Sequence, residues 1–220
     1  MSRPDRPAGT TNRPPGTRGR PPGTSARELE LISLRLFTEV SFEETTVEQI
    51  ALAAGVSRRT FFRYFESKAD VLWHAFDGEV RALRAAFAAV PPGVPAMEAI
   101  RQVVIGANRY RAEDVPELRT RMNLIGSVPA LQASAAHHYD AWERAVSDFA
   151  AARLGQPPNS LYPLAIGRAT LAVCRSAYDC WVDRADADLT VYLDEALVAL
   201  AAGFDPAELG TPDPVPGQAK

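Results

Sequence analysis

The stretch from Thr45 to Phe65 constrains this chain more than any other. Val47, Ile50, Ala51 and Ala54 recur at helical spacing and share one face, and a second short run places Phe61 and Phe65 four apart, again on one face. Gly55-Val-Ser57 separates them. Glycine enters the left-handed backbone that a tight reversal needs, a valine can plug the turn into the core, and serine is a natural N-cap for the second helix. Small Ala51 and Ala54 let two short rods cross closely. The pattern predicts a helix-turn-helix, entered through a capping box at Thr45-Thr-Val-Glu48 and continued by a second helix over Arg58 to Phe65. With Phe61 and Phe65 turned inward, Arg58, Arg59, Thr60, Phe62, Arg63 and Tyr64 point to other faces. Arginine makes paired hydrogen bonds to guanine edges, threonine touches a thymine methyl or a phosphate, and a tyrosine hydroxyl reaches phosphate. The arginines alone would also fit a solvated surface. The frame around them favours the major groove of duplex DNA, where a recognition helix presents its N-terminal half.

The net charge of −3 argues weakly against nucleic acid, but its distribution matters more. Residues 1–24 carry five arginines against one aspartate, whereas residues 81–220 hold 13 basic and 16 acidic side chains. The first segment also repeats Arg-Pro-Ala/Pro-Gly-Thr every seven residues, starting at Arg6, Arg13 and Arg20. Such a composition cannot pack a core, so 1–24 reads as a disordered basic arm: a solvated tail, or an arm whose arginines enter a minor groove. No apolar stretch reaches membrane-spanning length and the N-terminus lacks a signal-peptide core, which leads us to expect a cytoplasmic protein. Cys174 and Cys180 stand six apart on one expected helix, pointing to different faces, which disfavours a disulfide or a cysteine zinc site. His137 and His138 are adjacent and diverge, and no nucleophile, nucleotide or glycine-rich motif sits in the context it would need. Neither a metal, a cofactor nor an enzyme is expected.

Helical spacing fills the rest, giving an all-α chain of about nine helices. The first starts behind Ser25 in a capping-box spacing with Glu28 and runs through Leu29, Ile32, Leu36, Phe37 and Val40. A fourth is expected from Lys68 to about Ala89, stopped by Pro91-Pro-Gly-Val-Pro95. Others follow at about Met97 to Arg109, Pro116 to Ile125, Pro129 to Leu154, Tyr162 to Asp183 and Leu189 to Ala202, and the chain ends in a flexible tail over 205–220. The layout divides into a helix-turn-helix domain at 25–72 and a larger helical domain at 73–204 with enough apolar faces to enclose a ligand. Met97, Val104, Met122, Leu124, Trp142, Phe149 and Trp181 are candidate walls, although periodicity does not separate lining from plain core. Arg109, Arg119, Arg121, Arg168 and Arg175 are candidates for an anionic group on that ligand, or else are solvated or ion-paired; Asp179 is placed to neutralise Arg175.

The run Phe42-Glu-Glu-Thr-Thr-Val-Glu-Gln-Ile-Ala51, with Ala54-Gly-Val-Ser-Arg-Arg-Thr-Phe-Phe-Arg-Tyr-Phe-Glu-Ser-Lys68, resembles the DNA-binding domain of TetR-family regulators. The resemblance implies that Thr46, Thr60, Tyr64 and Lys68 hold phosphates and that Arg58, Arg59 and Arg63 read bases. Lys68 follows Ser67 in a first helical turn, where ammonium and free N–H groups can converge on one phosphate. Two departures stand out: Ser41 occupies a usual glycine position, and Phe62 a common tyrosine position, which puts a phosphate contact from Phe62 in doubt. Ser57–Phe65, Trp73–Asp77, Ser127–Leu131 and Asp186–Leu189 further resemble regulators of mycofactocin biosynthesis clusters, whose C-terminal domain implies a long-chain acyl-CoA effector. The family also implies a homodimer through Tyr162 to Asp183 and Leu189 to Ala202, against the alternative that these small and apolar residues form an internal core. On that view Leu197→Arg yields monomers. The expected function is therefore a TetR-type regulator, a repressor released from a palindromic operator of double-stranded DNA by a small hydrophobic effector. The competing readings are a helical small-molecule-binding protein or enzyme, and a DNA binder without effector; gel shifts with promoter against random DNA would separate them.

Overall fold

The computed structural model describes residues 24–184 and 187–203, so the basic arm at 1–23, Asp186 and the tail at 205–220 lie outside the described residues. Nine α-helices and no strand are found among them. Helix α1 (Ala26–Glu39) starts where Ser25 Oγ accepts from the Glu28 amide, but the box is incomplete, because the Glu28 carboxylate takes the Thr24 hydroxyl instead. Helix α2 (Val47–Ala53) is capped one residue later than expected. Thr46 and Gln49 form the reciprocal box, while Thr45 is buried and gives its hydroxyl to the Ser41 carbonyl at 2.6 Å. Gly55 turns the chain with φ +65° and Ser57 caps α3 (Arg58–Phe61), which is shorter than the expected Arg58 to Phe65. Beyond Phe61 the amides of Arg63 and Tyr64 bond three residues back, so the rod tightens rather than continuing as α-helix.

The expected fourth helix from Lys68 is also broken. A 3-10 turn, Asp70–Trp73, precedes α4 (Phe76–Ala88). Then come α5 (Ala96–Ala107), α6 (Val115–Ser127), α7 (Pro129–Leu154), α8 (Leu161–Arg184) and α9 (Leu189–Ala201). Helix α7 matches its expected limits and ends on Gly155 in left-handed backbone. It packs most closely along α8, where Gly167 makes the approach possible: a Cβ there would lie 2.8 Å from the Glu143 carbonyl.

Two apolar cores result. One gathers Leu29, Phe37, Ile50, Phe61 and Phe65 of the helix-turn-helix around Trp73, and extends to Ile125, Val128 and Leu131 from α6 and α7. The other holds Leu83, Ile100, Val104, Val146, Trp181, Leu193 and Leu197. Leu197 is only 1% exposed within one protomer. It is core rather than surface, and Leu197→Arg would unfold the chain instead of separating subunits. The outer sides of α8 and α9 expose Leu161, Tyr162, Val191 and Val198. Among the described residues no helix is long and apolar enough to cross a membrane.

Ser41, closing α1, has φ +153° and is the sole non-glycine with positive φ among the described residues. That backbone region costs an L side chain about 1–3 kcal/mol. Its Oγ accepts from the Glu44 amide at 3.1 Å, an exposed cap whose replacement by glycine costs only a few tenths of a kcal/mol. We expect Ser41→Gly to be stabilising by about 1 kcal/mol, visible as a Tm gain of about 2–4 °C; an unchanged or lower Tm in thermal unfolding would show that the turn is unstrained.

Candidate nucleic-acid interface and ligand cavity

Helices α2 and α3 present the arginines at the surface, and their contacts set what each can do. Arg58, Arg59 and Arg63 are all exposed. Arg59 makes no hydrogen bond, ion pair or ring contact among the described residues. Arg58 is paired with Glu48 of α2 at 2.9 Å and lies over the Phe62 ring at 5.3 Å; Arg63 donates to the Tyr64 hydroxyl at 3.0 Å and covers its ring. Phe62 is itself 43% exposed and meets Phe61 edge-on. Thr60 is engaged with the capping hydroxyl of Ser57, and Thr46 with Gln49.

Two expected phosphate ligands are internally occupied. Lys68 Nζ donates to the carbonyls of Phe42 (2.5 Å), Glu43 (3.2 Å) and Thr45 (3.0 Å) and sits 4.3 Å from the Phe42 ring centre. An ammonium has three donors, so this one is saturated, and it lies ahead of the 3-10 turn rather than in a first α-helical turn. In this structure Lys68 clamps the loop between α1 and α2. Tyr64 donates its one hydroxyl hydrogen to the Thr24 carbonyl at 2.8 Å, fixing the point where the basic arm joins the fold directly beside α3.

Behind this face lies a cavity of about 350 Å³ between the helix-turn-helix and the larger domain. Of the walls expected from sequence it contains Val104, Arg121, Met122, Trp142 and Arg175. Met97 packs against the main core instead, Phe149 stacks on Phe87 at 4.5 Å, and Trp181 is buried with Arg119 over its ring at 4.4 Å. Arg168 is spent on Glu143, and Arg119 donates to the Trp181 carbonyl. Among the described residues Arg175 keeps no ion pair, Asp179 included, and rests 5.2 Å from the Tyr139 ring in the cavity wall.

Sequence reasoning missed the polar side of the cavity. Glu79 of α4, Asn108 and Tyr110 after α5, and Tyr178 of α8 come together there, although 99 residues separate the first from the last. Tyr178 donates to Asn108 Oδ1 at 2.5 Å, Asn108 Nδ2 donates to the Val104 carbonyl at 2.8 Å, and Tyr110 lines the cavity with Tyr178. Burial pushes the Tyr110 hydroxyl up to about 12 and the Glu79 carboxyl above the ordinary carboxylate range. Glu79 lines the cavity and keeps solvent-accessible surface. No periodic pattern marks such residues, since they come from two separate helices and the connection after α5.

Residues 33–74 match the family described as bacterial regulatory proteins, tetR family, and residues 94–205 match the MftR C-terminal domain, half of the chain. The chain belongs to the TetR family. This TetR-family chain is 29% identical over 174 residues to MftR of Mycobacterium tuberculosis, to which regulation of mycofactocin biosynthesis is ascribed, covering 79% of this chain and 88% of the relative. It is 33% identical over 178 residues to the HTH-type transcriptional regulator TcmR of Streptomyces glaucescens, covering 76% and 79%. Its fold is that of Thermus thermophilus FadR, a repressor solved with lauroyl-CoA (22% identity, TM-score 0.54, 88% and 100% covered). SmeT, the repressor of the Stenotrophomonas maltophilia efflux pump SmeDEF, shares it too (21% identity, TM-score 0.58, 88% and 98% covered). The chain is thus a transcriptional regulator of the TetR type.

The DNA-binding part of this TetR-family protein is tied to its body by four charges. Glu30 of α1, 1% exposed, lies 2.5 Å from Arg121 Nη2 of α6 and accepts from Arg27 at 3.1 Å. The Glu30–Arg121 contact is close but outside hydrogen-bond alignment, which makes it chiefly coulombic. Arg27 grips Glu117 through both guanidinium nitrogens, and Arg121 adds bonds to Glu117 (2.8 Å) and to the Leu72 carbonyl (3.0 Å). Burial alone would raise the Glu117 carboxyl, but the two guanidiniums outweigh it and hold it below the usual range. Removing one partner of a buried pair leaves an uncompensated charge and costs about 3–5 kcal/mol. Because Arg27 still reaches Glu30, Arg121→Met is expected to destabilise the chain by the lower end of that range in urea unfolding, and Glu30→Gln in the same chain to recover part of the loss; a neutral Arg121→Met would mean that Arg27 alone compensates Glu30.

Proposed function

We propose that this chain is a dimeric repressor which binds a palindromic operator through α2 and α3 and releases it when an apolar effector fills the cavity. The observation that carries the reading is the placement of Arg58, Arg59 and Arg63 on the exposed side of the rod that follows Gly55, while the cavity behind it shares Arg27, Glu117 and Arg121 with the joint between the two parts. Arg59, with no partner among the described residues, is the foremost base reader; Arg58 must leave Glu48 to join it. Thr46, Thr60, Tyr64 and Lys68 line the flanks, with Lys68 and Tyr64 positioning the loop and the arm. Arg residues of 1–24 then supply charge beside the recognition rod. The division into 25–72 and 73–204 follows the same division of labour.

Dimerisation is proposed through the exposed sides of α8 and α9, where Leu161, Tyr162, Val191 and Val198 leave apolar surface unburied. Two-fold symmetry sets two recognition rods about one duplex turn apart. The effector is proposed to be a long-chain acyl-CoA: the walls Leu72, Phe76, Leu83, Leu118 and Met122 suit an acyl chain, and Arg175 an anionic or carbonyl group. The named roles of the M. tuberculosis relative and the lauroyl-CoA of T. thermophilus FadR support a mycofactocin-linked, acyl-CoA-responsive regulator.

Gel shifts with the promoter DNA of the protein's own gene against random DNA test the reading. Arg59→Ala should lower promoter affinity at least tenfold while keeping the fold. Val198→Arg should give monomers by sedimentation, with unchanged circular dichroism and lost promoter binding. Lauroyl-CoA, and not free CoA, should release the DNA. Equal binding to both DNAs would reduce the protein to a sequence-independent binder, and release by neither compound would remove the acyl-CoA assignment.

A further inference from the structure

The face that carries the arginines also carries one exposed ring. Four aromatic residues lie between Arg58 and Phe65. Phe61 and Phe65 are buried and Tyr64 is bonded to the Thr24 carbonyl, whereas Phe62 is 43% exposed. The Phe62 amide donates to the Arg58 carbonyl at 3.1 Å, which sets Phe62 one helical turn beyond Arg58. The two side chains share one side of the rod, since the Arg58 guanidinium lies 5.3 Å from the centre of the Phe62 ring. The ring is fixed from beneath by Phe61, which it meets edge-on with centroids 5.5 Å apart. An apolar group is thus held at the surface, beside a base-reading arginine and outside both cores.

Phenylalanine neither donates nor accepts a hydrogen bond, so this ring gives nothing to a phosphate or to the polar edge of a base. In the major groove its exposed surface gains only from an apolar partner, and the base pairs present one there, the 5-methyl group of thymine. We propose that Phe62 reads a thymine through that methyl group, next to the base that Arg58 contacts. This rests on α3 being the recognition rod and adds a second kind of base contact to what the rod reads. Successive bases stand about 3.4 Å apart, so two side chains in contact with each other reach the same or neighbouring base pairs. Thr60 also carries a methyl group, but its hydroxyl and amide are both engaged with the Ser57 cap, which ties it to the start of the rod. Covering one methyl group is worth about fourfold in affinity per half-site, and about 15-fold when a two-fold symmetric protein covers one in each half. A ring lying against a sugar instead would be indifferent to the methyl.

The test measures, by fluorescence anisotropy, binding of the full chain to the promoter DNA of its own gene made once with thymine and once with uracil, which differ only in the 5-methyl group. We expect the wild-type chain to lose at least about fivefold on the uracil promoter and to bind random DNA of either kind equally. Single uracil substitutions should confine the loss to one thymine in each half-site. Phe62→Ala should bind the thymine promoter more weakly, yet lose less than about twofold on going to uracil. Phe62→Tyr keeps the ring and should keep the loss. Phe62→Gln repeats the removal of the ring with a residue of good helix propensity, and unchanged circular dichroism of the free variants confirms the fold. Equal affinity of the wild-type chain for the two promoters, a loss spread over many thymines, or a loss undiminished in Phe62→Ala and Phe62→Gln overturns the proposal while leaving α3 as the recognition rod. Equal wild-type binding to promoter and random DNA overturns both.

Discussion

A carboxylate with almost no solvent contact, Glu30, sits near the start of the first helix of the DNA-binding part, and two arginines are placed so that it is never alone. Taking a carboxylate out of water costs several kcal/mol, and one guanidinium rarely returns more than that. Here two arginines and two glutamates share the cost, so the group is neutral as a whole and each charge has more than one opposite neighbour. The net contribution to stability is small by this reasoning, and the geometric consequence is large. Glu30 and Arg27 belong to α1, Glu117 and Arg121 to α6, and the quartet is satisfied in one register of those two helices.

That register decides where the recognition rod points. Leu29 and Phe37 of α1 pack in the same core as Ile50, Phe61 and Phe65, so α2 and α3 follow α1 as a unit. Lys68 reinforces the unit from the far side by binding three carbonyls of the loop between α1 and α2. A cation spent in this way still lends its charge to a nearby phosphate, but its geometric role is already fixed inside the protein. Tyr64 likewise joins the rod to the root of the N-terminal arm. Residues that sequence reasoning assigned to phosphate are, in the free protein, the fasteners that hold the exposed arginines in place.

The sequence carried the fold in its punctuation. Gly55, Ser57, Ser25, Pro129 and Gly155 each impose a local backbone requirement that few other residues meet, and the helix limits next to them fell within a residue or two of expectation. Where punctuation was ambiguous the reading slipped. Two adjacent threonines hid which was the cap, and nothing between Lys68 and Phe76 announced that the backbone would tighten into a 3-10 turn. The cavity was half legible. Apolar walls such as Val104 and Met122 follow from helical spacing, but Met97, Phe149 and Trp181 have the same spacing and pack elsewhere, because periodicity gives the face of a helix and not what lies opposite it. Glu79, Tyr110 and Tyr178 were invisible for a related reason: their meaning arises from two helices and a connecting loop meeting at one point. Leu197 shows the converse error, an apolar residue on the right helix but on its inward side.

A ligand shifts a conformational equilibrium only by as much as it binds one state better than the other, so the walls that change between states matter more than the walls that merely enclose. In this cavity Leu83, Val104 and Leu171 belong to the body, and a ligand touching them alone would bind every orientation of the DNA-binding part equally. Arg27, Leu72 and Trp73 belong to or adjoin the other side, and Arg121 bonds directly to the Leu72 carbonyl while holding Glu30. A ligand lodged between these two sets is wedged across the joint itself. Glu79, in the wall of the same cavity, lies within the electrostatic reach of both Arg121 and Glu30. Neutralising or engaging that carboxylate changes the field in which the quartet is balanced, without any contact between ligand and DNA-reading side chains. On the function proposed above, coupling would run through the same charges that set the register of α1 and α6, with the buried carboxylate of Glu30 at their centre.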